Sequence, residues 1–187
     1  MQRIFDKSYF KDKLRSDIQL WIDTHKEQLI GSAIFTKSNG IVSKVVTWAE
    51  GWTCKDKDFC PSHTGSIVLK DNELLIFDMK PPKATTQSLE KYLWTTKEDF
   101  VIVLRDFKLD IDMFSKTILE HEGQGYPYMS AIRSVFTKKQ TQWNCHCSEL
   151  HLRKLQLQGL FTDTNAEITP DELLHLLEGE TNDNSNS

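Results

Sequence analysis

The segment WNCHCSELHLRKL, residues 143–155, carries two thiols one residue apart at the mouth of a leucine-rich run with helical spacing. With Asn144 as the cap, Cys145 falls at the first helical position and Cys147 at the third. There, unpaired backbone N–H groups and the positive end of the helix dipole stabilise a thiolate, the nucleophilic form of cysteine. The same N–H groups suit the oxyanion that forms when a thiolate attacks a carbonyl.

A thiolate needs a base or ion-pair partner, and the chain has six histidines. His25 and His175 sit in helical, exposed-looking contexts, His121 at a helix end, and His146 and His151 in the cysteine segment itself. His63 differs, because it opens a strand after a loop and is followed by the small residues Thr64 and Gly65. A strand-borne histidine facing a helix-borne cysteine can take the thiol proton and return it to a leaving group. Asp78, on the neighbouring strand, is the carboxylate placed to orient the ring. His151, one turn beyond Cys147 on the same helix face, is a rival base. Metal binding competes, since Cys54, Cys60 and His63 lie in one loop and Cys145, His146 and Cys147 in another. The separations do not match zinc modules, which favour two to four residues between paired cysteines, so no metal is expected. A buried structural role is the competing reading for Cys147 alone, and a solvated strand-end charge the competing reading for Asp78.

These residues must be positioned by an α+β arrangement. Phe10, Leu14, Ile18, Trp21 and Ile22 form one apolar stripe, predicting an N-terminal amphipathic helix over residues 8–29 that Gly31 ends. Residues 65–79 read as a β-hairpin turning at Asp71 and Asn72. SLEKYLW predicts a short helix, FVIVLR a buried strand, and Ile111, Phe114, Ile118 and Leu119 a helix that stops near Gly123. The cysteine helix spans about residues 145–158, with Leu150, Leu155 and Leu157 expected in the core. In ITPDELLHLLEG, Thr169 and Glu172 make a capping box with Pro170 at the first helical position. A small antiparallel sheet packed with helices follows, in one domain over 31–178, with residues 1–30 as a helix packed on it and 179–187 as a polar tail.

A net charge of −4 from 23 basic and 27 acidic residues offers no broad cationic field, which argues against a nucleic-acid partner. The charged N-terminal segment contains neither a secretory leader nor a spanning stretch. The expectation is a cytoplasmic protein without stable membrane insertion, whose four cysteines are reduced and whose Cys54 and Cys60 are without chemistry.

SHTGSIV, LLIFDMKPP, LEKYL, VIVLR, GYPY, CSEL and TPDELL occur in the order found in the YiiX/YaeF-like group of the NlpC/P60 superfamily, and the chain resembles that group from about Gly31 to Leu177. These are permuted papain-like cysteine amidases, in which the histidine strand precedes the cysteine helix. The resemblance implies Cys147 as nucleophile, His63 as base and then acid, Asp78 as orienting group, and substrate contacts at Ser62, Tyr126 and Tyr128. Loop packing is the competing role for the two tyrosines. It implies a cysteine hydrolase of amide, peptide or acyl bonds in cell-wall peptides, muropeptides or lipid-like molecules, without a cofactor. Three departures stand out: Asp78 where the family usually has Glu, Met129 after the tyrosine where an acidic residue is frequent, and His151 where an apolar residue is usual. The pair Asn144–Cys145 also resembles the nucleophile context of the lecithin:retinol acyltransferase group, which keeps Cys145 as a second candidate. A non-catalytic binding protein that keeps the fold is the alternative function.

Overall fold

The computed structural model describes residues 4–37, 59–80, 82–125 and 147–179. Twelve elements follow in chain order: β1 (Ile4–Asp6), α1 (Lys7–Phe10), α2 (Arg15–Leu29), β2 (Ala33–Lys37), β3 (His63–Lys70), β4 (Glu73–Lys80), β5 (Lys83–Ser88), α3 (Leu89–Thr95), β6 (Asp99–Val103), α4 (Ile111–Leu119), α5 (Cys147–Gln156) and α6 (Pro170–Glu178). The strands form one antiparallel sheet in the order β1-β6-β2-β3-β4-β5, so the fold is mixed α+β.

Helices cover both faces of the sheet. On one face Ile34, Ile67, Ile76 and Ile102 pack with Phe10 of α1, Ile18, Trp21 and Ile22 of α2, and Leu89 and Leu93 of α3. On the other, Phe35, Val68, Phe77 and Val103 pack with Phe114 and Ile118 of α4, Leu150 and Leu155 of α5, and Leu173 and Leu177 of α6. Two buried faces explain why LLIF in β4 and FVIV in β6 read as apolar runs rather than as alternation: successive side chains point to opposite faces, and both are dry.

The N-terminal segment departs from the expected single helix. It breaks between α1 and α2, where Asp12 takes a positive φ of 63°. Asp17 restarts the helix by accepting the Leu14 N–H at 3.2 Å. Leu14 therefore sits outside the stripe and is 69% exposed, while Phe10, Ile18, Trp21 and Ile22 are buried as expected. Leu157 is likewise not core but 60% exposed, because α5 ends one residue before it.

Two glycines have physical reasons to be glycine. Gly31, with φ +82°, leaves α2 and donates to Ile67 O at 2.9 Å, and a Cβ there would meet Leu109 Cδ2 at 2.2 Å. Gly65 is extended, but a Cβ on it would lie 2.9 Å from the γ2 methyls of both Ile34 and Ile76. The β3–β4 turn uses Asp71 (φ 49°) and Asn72 (φ 65°), the left-handed pair that a two-residue hairpin of native twist requires. At α6 the capping box is complete: Thr169 Oγ1 accepts the Glu172 N–H at 3.2 Å, and Glu172 accepts the Thr169 N–H at 2.8 Å.

Candidate active site

β3 starts at His63, and the β2 register sets it opposite Thr36. β4 places Asp78 opposite Gly65, two residues further along β3 and so on the same face as His63. A side chain at 65 would press on the flanking isoleucines, Ile34 and Ile76. The His63 ring hydrogen-bonds Asp78 through Nε2 to Oδ1, and both side chains are buried. That leaves the ring's other nitrogen, Nδ1, for a second partner. Cys147, at the start of the described part of α5, lies beside His63, close enough for each to stabilise the other's charged form, and the backbone N–H groups of Thr64 and Ser148 favour its thiolate as well. One cysteine, one histidine and one carboxylate, separate in sequence, thus come together.

The electrostatics of the three groups are mutually consistent. Burial works against charge on His63, yet the Cys147 thiolate and the Asp78 carboxylate overcome it and push its pKa up to about 10. Burial likewise works against the Cys147 thiolate, but the His63 imidazolium and the two backbone donors bring the thiol below its ordinary value. Asp78 is held below the usual carboxylate range against its own burial, first by His63 and then by Lys80. At neutral pH His63 is therefore charged and Asp78 ionised, and the imidazolium shifts Cys147 toward its thiolate. Cys147 is partly exposed, so the thiolate can be reached from solvent.

His151 does not join this group. It is fully buried on α5, with Nδ1 hydrogen-bonded to Ser66 Oγ at 2.8 Å and its ring edge-on to Phe114 at 5.6 Å between centroids. Burial alone drives its pKa down to about 4, so it stays neutral and packs α5 onto β3; the structure assigns the rival base a structural place. Its Nε2 has no hydrogen-bond partner. Glu149 sits in the first turn of α5, as expected of a dipole-complementing carboxylate, and also pairs with Arg153 at 2.7 Å.

The remaining candidates divide. Ser62 is buried beside His63, its N–H donating to Thr36 O at 2.9 Å. Tyr126, Tyr128, Cys54, Asn144, Cys145 and His146 lie outside the described residues. Among the described residues no group of three or more His, Cys, Asp or Glu side chains is arranged to hold a metal ion, and no helix is long and apolar enough to cross a membrane. The expectation of four reduced thiols is corrected at Cys60, which is buried and disulfide-bonded.

Sequence reasoning missed Lys80 and Glu98. Lys80 Nζ contacts Asp78 Oδ2 at 3.2 Å and Glu98 Oε2 at 3.0 Å. The available signal was the strand period: Lys80 lies two residues past Asp78 on β4, on the same face. Compared with protein-family models and with curated proteins, the chain matches none.

Proposed function

We propose that the protein is a cysteine hydrolase of amide, peptide or acyl bonds, built on a permuted papain-like fold of the NlpC/P60 type. The observation that carries this reading is the buried His63–Asp78 pair beside the helix-borne thiol of Cys147, whose thiolate His63 and the backbone N–H groups of Thr64 and Ser148 favour. The order of elements supports it as well, since the histidine strand precedes the cysteine helix and the intervening strand supplies the carboxylate.

The reactive form is the ion pair of Cys147 thiolate and His63 imidazolium, toward which both groups are shifted. The Cys147 thiolate attacks the carbonyl carbon, forming a C–S bond and an oxyanion that the N–H groups at the start of α5 stabilise. As the tetrahedral adduct collapses, the bond to the leaving amine or alcohol breaks and His63 gives that group its proton. Neutral His63 then takes a proton from water, whose oxygen attacks the thioester. The Cys147 thiolate leaves, and the acid product is released with His63 protonated again. Asp78 keeps Nε2–H aimed at itself, which holds Nδ1 toward sulfur throughout. Muropeptides, other small peptides and lipid-like amides or esters are the substrate classes, and no cofactor enters any step.

The test is acyl-enzyme trapping. The protein is incubated with a panel of activated acyl donors, namely nitrophenyl esters of short fatty acids and of N-acyl amino acids, and quenched in acid. Peptide mass spectrometry should find the acyl mass on Cys147, absent in Cys147→Ala. Acylation at another cysteine, or equal labelling of Cys147 after His63→Gln, would refute the assignment.

A further inference from the structure

The triad does not end at Asp78. A carboxylate has two oxygens, and when one is committed to a histidine the other, if buried, must be satisfied or it costs free energy. Asp78 Oδ1 is taken by His63, and Oδ2 lies 3.2 Å from Lys80 Nζ. Lys80 is in turn 3.0 Å from Glu98 Oε2, in the turn that leads from α3 into β6, where the Glu98 N–H is fixed to Thr96 Oγ1 at 3.2 Å. The exposure of the three side chains rises outward, from 10% at Asp78 to 29% at Lys80 and 30% at Glu98. A charged chain thus runs from the buried imidazole to the surface, alternating in sign at every link.

Asp78 is one methylene shorter than glutamate and has a single bond, χ2, about which its carboxylate plane turns. Gripped only by His63, the plane could swing; gripped at both oxygens by groups on opposite sides, it cannot. Lys80 is suited to this because its long stem reaches from two residues along the same strand face, and its ammonium can satisfy two carboxylates at once.

We infer that Lys80, braced by Glu98, is a positioning residue for the proposed triad, fixing the Asp78 carboxylate plane so that His63 keeps Nδ1 on the Cys147 sulfur. This inference rests on the cysteine-hydrolase reading of the site. The titratable groups around Lys80 are Asp78 on β4, Glu98 before β6 and Tyr92 on α3, with His63 on β3 beyond Asp78.

The test follows alkylation of Cys147 by iodoacetamide against pH, read by peptide mass spectrometry, in wild type, Lys80→Met, Lys80→Arg and Glu98→Gln. Circular dichroism checks that each folds; Glu98→Gln leaves Lys80 in place and serves if Lys80→Met does not fold. Lys80→Met should slow alkylation at pH 6 by about two- to fivefold, a part of what losing the His63 charge itself costs, and move the lower limb of the profile to higher pH. Lys80→Arg should restore most of the rate, and Glu98→Gln should lie between. A Lys80→Met or Glu98→Gln profile that overlays wild type while wild-type Cys147 reacts selectively overturns the positioning role and leaves the triad standing. Wild-type Cys147 reacting no faster than a simple thiol sinks the triad, and the role of Lys80 with it.

Discussion

Replacing His63 by glutamine isolates the charge of the imidazolium. The amide fills a comparable volume and still donates to Asp78, but it carries no proton for the thiolate to attract. The rise of His63 from 6.5 to about 10 corresponds to about 5 kcal/mol of preference for its charged form. Two anions, Cys147 and Asp78, supply that preference against the cost of burial, so the imidazolium favours the thiolate in turn, on the order of 10- to 100-fold in its ionisation. Reactivity falls less than ionisation, because a more basic thiolate is a better nucleophile. With a Brønsted slope of about 0.45 the net loss is up to about tenfold at pH 6, where an ordinary thiol is only about 0.3% ionised. Burial of a thiolate without its counterion adds to this. The assay is the second-order rate of iodoacetamide alkylation at Cys147, with glutathione as the reference thiol. A His63→Gln rate within about twofold of wild type at pH 6 would refute the ion-pair reasoning.

Further outcomes follow from the same geometry. Asp78→Asn leaves a hydrogen-bonding group beside His63 but removes its charge and admits the wrong tautomer, so turnover should drop by about three or four orders of magnitude with little change in KM; a loss under tenfold would show that the carboxylate does not orient the ring. Gly65→Ala drives a methyl to 2.9 Å from two branched isoleucine methyls, and overpacking of this kind should cost about 1–3 kcal/mol in urea unfolding; an unchanged midpoint would contradict it. His151 has a folded pKa of about 4, below the unfolded value, so the unfolded chain binds the extra proton. Stability should fall from about pH 6.5 downward, by about 2 kcal/mol at pH 5, with the loss complete below about pH 4. Unfolding midpoints at pH 7 and pH 5 check this, and His151→Gln should shrink the difference between them. The disulfide at Cys60 predicts fewer than four titratable thiols in unreduced, denatured protein; four would refute it.

Much of this site was legible in the sequence because its parts are locally marked. His63 stands at the boundary of a loop and an apolar strand, Cys147 opens a leucine-rich run, and Thr169, Pro170 and Glu172 spell out the start of α6. The hairpin turn at Asp71–Asn72 is equally local, since left-handed backbone favours those residues. What escaped was set by partners distant in the chain. β1 is three residues long, with Phe5 alone facing inward, and β5 (KATTQS) is a polar edge strand; neither has an apolar run, and both exist because a neighbouring strand offers a ladder. The break at Asp12 lay hidden beneath an apolar spacing that continued across it. For Lys80 the strand period marks Asp78, two residues back on the same face, but its other carboxylate, Glu98, is brought to it only by the tertiary fold. His151 reads as a plausible base by helical spacing, yet burial decides its state and keeps it neutral.

The most direct measurement is the protonation state of His63 itself, from nitrogen-15 chemical shifts of its ring in the folded protein across pH 5 to 11. The account predicts both ring nitrogens protonated at pH 8, titration near pH 10, and a clear fall in that pKa in Cys147→Ala, which removes one of the two anions that hold the proton. A ring that is neutral at pH 8, or a titration that Cys147→Ala leaves unmoved, would contradict it.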